Sequence, residues 1–422
     1  MKIVAATNMP LVEEAFGRLG TVTVHEGRRI DASMVRDADL LALRSTTRVD
    51  AALLAGSRVR FVGTATIGTD HLDIPWLEAN RIAWTYAPGC NANSVAEYIV
   101  AALLELSVRH GVPLAGRTLG VIGVGNVGRR VVAKAAALGL RVLQHDPPRE
   151  REEGGDAFVS RETLLDESDI VTLHVPLNRT GLDCTMQLAD AAFFGAMRRG
   201  AVFINAARGA VMDGEALGVA LADGQVGHAV LDTWPTEPGI PLELLAAATI
   251  GTPHIAGHSY EGKAAGTQMV YEAACRFLGR PVACDCLALL PPPPVPTIRL
   301  EAPPEPVEAA LHAVVRQVYD IMADDARLRG GQADMAHSFD AQRRAYPVRR
   351  EFRFTEVTLP AGCDALARAL AVLDFTIRDS QLDGAPCRLA RQEPEIGMEN
   401  CAVCPPISRS RDTRSRGKEC CF

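Results

Sequence analysis

The 422-residue sequence predicts an α/β protein with two doubly wound parallel-sheet domains and a smaller C-terminal α+β domain. Three observations carry that expectation. Short apolar runs alternate with helix-like stretches along most of the chain, the pattern of parallel sheets covered by helices. A glycine turn, Gly123-x-Gly125-x-x-Gly128, falls between a strand-like and a helix-like segment. A proline run at 291–294, with Pro296 following, must be extended and separates a last unit of different texture.

In chain order, KIVAAT, TVTVHE, DLLALRS and VRFVGTAT are apolar runs suited to the strands of a first sheet. SVAEYIVAALLELSVRH then predicts a long helix over 94–110, with Ser94 and Glu97 spaced as a capping box. TLGVIG, GNVGRRVVAKAAALG and LRVLQHD read as strand, helix and strand, and DIVTLHV, GAVFINAA, HAVLDT and TIGTPH continue a second sheet. SYEGKAAGTQMVYEAACRFL predicts a helix that returns the chain to the first domain. Beyond the prolines, VEAALHAVVRQVYDIMADDARLR predicts one amphipathic helix, and FRFTEVTLP with DALARALAVLDFTIR predicts strand, helix, strand. The expected domains are therefore 1–93 with 258–285, then 94–257, then 286–380. Residues 381–422 lack apolar periodicity and are expected to form a disordered tail.

Composition narrows the function. With 48% hydrophobic and 23% charged residues the chain is of ordinary globular type. Lys plus Arg is 44 against 51 for Asp plus Glu, a net charge of -7, which disfavours nucleic-acid binding. The four lysines, at 2, 134, 263 and 418, sit in no phosphate-binding G-x-x-x-x-G-K-[ST] loop. MKIVAATNMP lacks the apolar stretch of about 7 to 15 residues that a secretion signal needs, and no run approaches the roughly 18 apolar residues of a membrane span, so a cytoplasmic protein without membrane contact is expected. Six of the 11 cysteines are scattered and five crowd into the last 42 residues. Cys401 and Cys404 form a C-x-x-C, but Cys420 and Cys421 are adjacent, so no metal site is expected.

The glycine turn points to a dinucleotide. Gly123 allows the tight turn, Gly125 lets backbone approach a pyrophosphate, and Gly128 lets helix and strand pack closely, with Asn126 and Val127 between them. The following helix presents free N–H groups to the phosphates. Both sheets are thus expected to be Rossmann-like. Asp146 stands 18 residues past Gly128, placed to accept the ribose hydroxyls and repel a 2'-phosphate, which favours NAD over NADP. Arg149, three residues on, offers the opposite preference and leaves that choice open.

Three further residues each follow a predicted strand: Arg208 in INAARGAVMD, Glu237 in LDTWPTEP and His254 in GTPHIAG. Loops at the carboxyl ends of parallel strands converge on the ligand crevice, so the three side chains can meet. Such a trio suits oxidation of an alcohol beside a carboxylate. His254 takes the hydroxyl proton while hydride leaves for nicotinamide, Glu237 orients the ring, and Arg208 holds the carboxylate and polarises the developing carbonyl. On residue type alone His174 and His258 are alternatives to His254.

Taken together, GVIGVGNVG, LHVPL, FINAARGAVMD, LDTWPTEP and GTPHIAG resemble the D-isomer-specific 2-hydroxyacid dehydrogenase family. The resemblance implies that Arg208, Glu237 and His254 are catalytic and that NAD is the cofactor. FVGTATIGTDHLD, APGCNANSVAEY and HIAGHSYEGKAAGT, with the extra unit after 290, narrow it to members acting on a small phosphorylated 2-hydroxy acid as homodimers formed through the C-terminal domain. It further implies that Asp146, Val175, Ala206, Ala207, Arg208, Asp232 and Gly257 line the NAD site with the glycine turn. Ser45 and Thr66 become substrate contacts, with Arg44, Thr46, Thr47 or Lys263 as further donors. His258 stands at a substrate-contact position where the family usually has tyrosine. The competing readings are another dehydrogenase of the family, of phosphoglycerate or glyoxylate type, and a non-catalytic NAD-sensing protein.

Overall fold

The structure, a computed structural model, describes residues 1–379; the segment 381–422, with Cys401 and Cys404 and the expected disorder, lies outside the described residues. The first apolar runs form a five-stranded parallel sheet of β1 (Lys2–Ala6), β2 (Thr21–His25), β3 (Leu40–Leu43), β4 (Phe61–Thr64) and β5 (Ala83–Thr85), in the order β2-β1-β3-β4-β5. Every residue of β3 and β4 is buried, as befits inner strands covered on both faces. β5 escaped the sequence reading because Ala-Trp-Thr is too short to show a period.

The helix Ala92–His110 leaves this sheet for the next and is buried along most of its length. Ser94 and Glu97 do not form the expected capping box; the helix begins after Asn91 without a side-chain cap. The start of the helix lies inside the protein, so these side chains bond to other elements instead. Ser94 Oγ lies 2.5 Å from Ser259 Oγ, and Glu97 Oε1 accepts from the Phe352 amide at 3.0 Å.

The second sheet has six parallel strands: β6 (Thr118–Ile122), β7 (Arg141–His145), β8 (Ile170–Leu173), β9 (Ala201–Asn205), β10 (Val226–Leu231) and β11 (Ile250–Gly251). Their order is β11-β10-β9-β8-β6-β7, so the winding reverses at β6, and a crevice opens between the ends of β6 and β8.

The helix Tyr260–Leu278 starts on Ser259, whose Oγ accepts from the Gly262 amide at 2.9 Å, and lies back on the first sheet. It touches β4 closely because Gly63 has no side chain: a Cβ there would stand 2.2 Å from Val270 Cγ1.

Past the prolines, β12 (Thr297–Arg299), β13 (Glu356–Leu359) and β14 (Thr376–Asp379) form a small parallel sheet in sequence order. The single helix expected here is two, Val307–Val318 and Ile321–Gly330. Asp320 breaks it by accepting from the Met322 amide, and the Tyr319 hydroxyl donates to Asp324 at 2.9 Å. A further helix, Met335–Arg344, is pinned to the first sheet's β2–β3 connection by Arg28–Asp340 at 2.7 Å and Arg344–Glu26 at 3.0 Å. Leu311, Val314 and Leu370 share one apolar core with the helix Ala92–His110. No helix among the described residues is long and apolar enough to cross a membrane.

Candidate active site

The crevice beside β6 is shaped by glycine. Gly123 has φ +86°, and a Cβ on it would stand 2.8 Å from the His174 carbonyl and from Val175 Cγ1, so Val175 forms the facing wall. Gly128 comes so close to the Gly123 carbonyl that a Cβ would lie 2.1 Å from its oxygen, whereas Gly125 faces open space. Asn126 is anchored by Arg129, which donates to its Oδ1 at 2.6 Å, and Val127 precedes the helix Gly128–Ala135. Asp146 accepts from the Val124 amide at 2.7 Å and the Arg149 amide at 3.2 Å, which places its carboxylate at the mouth of the turn. Arg149 donates to both carboxylate oxygens of Glu153 at 2.7 Å and to the Val124 carbonyl at 2.6 Å. Its charge is thereby engaged by Glu153, while the Asp146 carboxylate stands on the ribose side. A tight turn, an open glycine and a ribose-side acid fit a dinucleotide.

On the far side of the crevice, Asn205 ends β9 fully buried; its amide donates to the Arg208 carbonyl at 3.0 Å and its Oδ1 accepts from the Ala207 amide at 3.0 Å. Asn205 therefore shapes the loop Ala206–Ala207–Arg208, a role the sequence signalled only by a polar residue closing an apolar run. The Arg208 guanidinium reaches the first sheet's 66–70 loop, where its Nε donates to Asp70 at 3.3 Å. Gly68 makes room, since a Cβ there would fall 1.9 Å from Arg208 Nη2. Neither Asp70 nor Gly68 was foreseen.

His254 follows β11 with φ +55°, an uncommon conformation for a residue with a side chain. Asp232, at the end of β10 and 1% exposed, holds that loop: it accepts from Thr252 Oγ1 at 2.6 Å, the Ile255 amide at 2.7 Å and the Ala256 amide at 2.9 Å. His254 Nδ1 is thereby brought 2.7 Å from Glu237 Oε2, while Glu237 Oε1 accepts from the Trp234 amide at 2.9 Å. Burial raises the Glu237 carboxyl, but the His254 ring and the Trp234 amide outweigh it and hold it below the usual carboxylate range. Glu237 is thus ionised and fixes the imidazole with Nδ1 as donor, leaving Nε2 free for a substrate proton.

The alternative histidines are less suited. His174 is pushed down to about 3 by burial, with Nε2 3.1 Å from Thr172 Oγ1. His258 is held well below its ordinary value by burial and by Lys263, Arg343, Arg44 and His254 around it. Its ring stands edge-on to Tyr346, with centroids 5.5 Å apart. Ser45 is exposed in the loop after β3. Thr66 Oγ1 is 2.8 Å from Thr64 Oγ1 and donates to the Gly68 carbonyl at 2.9 Å, within the loop that meets Arg208. Gly257 lies where a Cβ would stand 2.0 Å from Asn91 Nδ2. Among the described residues no His, Cys, Asp and Glu side chains gather into a metal-holding group.

Residues 97–256 match the family model described as D-isomer specific 2-hydroxyacid dehydrogenase, NAD binding domain. Erythronate-4-phosphate dehydrogenase of Edwardsiella ictaluri is 47% identical over 380 residues, 90% of this chain and 100% of that protein. The chain belongs to the D-isomer-specific 2-hydroxyacid dehydrogenase family. It is an NAD-dependent oxidoreductase of that family. A second relative in the family, erythronate-4-phosphate dehydrogenase of Pseudomonas syringae pv. syringae, is 45% identical over 88% of this chain and 99% of that protein. Residues 289–371 match a domain of unknown function, DUF3410. Among solved structures, D-lactate dehydrogenase from Aquifex aeolicus, complexed with NAD and lactic acid, is 25% identical with a TM-score of 0.57 over 66% of this chain and 95% of its own.

Proposed function

We propose that this chain oxidises 4-phospho-D-erythronate to 2-oxo-3-hydroxy-4-phosphobutanoate with NAD, a step in the biosynthesis of pyridoxal 5'-phosphate. The observation that carries the chemistry is the His254–Glu237 pair at 2.7 Å in the family's fold. The name shared by relatives that match almost end to end supports the substrate.

His254 Nε2 accepts the proton of the C2 hydroxyl, and Glu237 favours the imidazolium that forms. Arg208 binds the C1 carboxylate and the oxygen that becomes a carbonyl, exchanging Asp70 for the substrate. Bound NAD supplies the acceptor for the hydrogen leaving C2. Gly123, Gly125, Asn126, Val127 and Gly128 cradle the pyrophosphate, Asp146 takes the ribose hydroxyls, and Val175, Ala206, Ala207, Asp232 and Gly257 border the remainder. Ser45, Thr66 and His258 contact the substrate chain.

In this reading residues 1–93 with 258–285 bind substrate, 94–257 bind NAD, and 286–380 join two copies. The six described cysteines are thiols, the state that the reducing cytoplasm maintains. The test is NADH formation with 4-phospho-D-erythronate against D-3-phosphoglycerate and glycolate. Preference for either of the latter, or no turnover with any, would overturn the assignment.

A further inference from the structure

Three cations, Lys263, Arg343 and Arg44, lie around His258. Arg44, directly after β3, is 9% exposed and donates no side-chain hydrogen bond to a described residue. Lys263, in the first turn of the helix Tyr260–Leu278, stands 5.6 Å over the Tyr346 ring. Arg343, on the helix Met335–Arg344, stands 5.7 Å over Phe339 and has a buried Nε with no hydrogen-bond partner. None of the three has a carboxylate partner among the described residues.

Further contacts tie them together. Thr47 Oγ1 donates to the Gly27 carbonyl at 2.8 Å, joining the Arg44 loop to the loop that carries Glu26 and Arg28. Those two residues pair with Arg344 and Asp340, on the same helix as Arg343. Tyr346, fixed by its hydroxyl to Asp324 at 2.7 Å, lies against both Lys263 and His258. His258 also lies within the field of Lys263, Arg343, Arg44 and His254, so the three cations and the His254 imidazole surround one buried ring. Nearby acids are engaged elsewhere: Glu26 and Asp340 with arginines, Glu237 with His254. Burial, then Arg44 and Arg343, push Lys263 down to about 7, as expected of positive charges gathered without a counter-ion.

We propose that Arg343 joins Arg44 and Lys263 in a pocket for the terminal phosphate of the substrate, so that the C-terminal region contributes a specificity residue to the active site. The inference rests on the phosphorylated substrate assigned above. A 2-hydroxy acid held by Arg208 at its carboxylate and by His254 at C2 then extends its far end past His258 into the three cations. The phosphate supplies the counter-ion the pocket lacks and leaves no buried cation unpaired. Arginine adds a planar fork of donors to the point charge of Lys263.

The experiment measures kcat/KM for 4-phospho-D-erythronate and for D-erythronate in the full chain and in Arg343→Ala, Arg343→Lys and Lys263→Met. Inhibition by inorganic phosphate is measured alongside. The expected result is a fall of about 10- to 100-fold in the phosphorylated-to-unphosphorylated ratio in Arg343→Ala. The loss should lie in KM, with weaker phosphate inhibition, partial recovery in Arg343→Lys and a parallel loss in Lys263→Met. A ratio unchanged in Arg343→Ala while Lys263→Met lowers it removes Arg343 from the pocket. Equal losses on both substrates, with a lowered Tm, make Arg343 merely structural and overturn the proposal. A wild-type enzyme that does not distinguish the two acids overturns the substrate reading itself, and the pocket with it.

Discussion

The two walls of the cleft are built differently. On the six-stranded side nearly every polar group near the chemistry is already spoken for: Asp232 by Thr252 and two amides, Glu237 by Trp234 and His254, and Asn205 by the Arg208 loop. On the other side Arg44, Lys263 and Arg343 stand without carboxylate partners among the described residues. The first arrangement fixes a geometry before substrate arrives, which a proton transfer requires. The second holds charge in reserve for a ligand. Reaction type and substrate choice are thus assigned to opposite walls, and substitutions on each should fail in different kinetic parameters.

The largest effect should come from the fixed wall. His254→Ala should lower kcat about 10²- to 10⁴-fold in NADH-formation assays while NAD affinity, followed by nucleotide fluorescence titration, stays within about threefold. Arg208→Gln should lower kcat/KM about 10²- to 10³-fold, because it removes both the carboxylate clamp and a donor to the developing carbonyl. If either loss appeared only in KM, the division between the walls would fail.

Smaller effects sharpen the contrast. Lys263 is faced by Arg44 and Arg343 as well as His258, and in the free protein its ammonium loses its proton as pH rises through about 7 while the two guanidinium groups stay charged. KM for the phosphorylated acid should therefore rise over that range by roughly tenfold at most, and in Lys263→Met the rise should vanish. Smallest is a stability effect far from substrate. Glu97, enclosed by the helix start and residues 351–352, is pushed up to about 8 by burial and by the Glu351 charge. The folded chain then holds a proton that the unfolded chain releases near 4.5, so stability falls as pH rises from 4.5 to about 8. Glu97→Gln should flatten the slope of Tm against pH over that interval.

Much of this layout was legible beforehand, for local reasons. The apolar runs and the glycine turn carry their periods and φ requirements in a few adjacent residues, so both sheets and the crevice could be placed from sequence. His254 and Glu237 were legible as strand-end residues, but not their 2.7 Å separation, which Asp232 and Trp234 impose through contacts that span 23 and 3 residues of sequence and are set by the sheet. Ser94 and Glu97 misled because a capping box and a buried junction share one local pattern; only burial separates them. Arg343 had no local signature. Its Nε is interesting only because the helix that carries it buries Met335 and Phe339 in the core of the second sheet while Asp340 and Arg344 reach the first, a relation no short window contains.

The two ion pairs that link that helix to the first unit, Arg28–Asp340 and Arg344–Glu26, are half open to water on the arginine side, at 48% and 47% side-chain exposure. Bonds of this type weaken as mobile ions accumulate around them. Ionic strength thus acts as a dial on the seam between the first and third units while the covered strands stay indifferent to it. An enzyme built this way should show discrimination between acids that softens in brine well before its fold does.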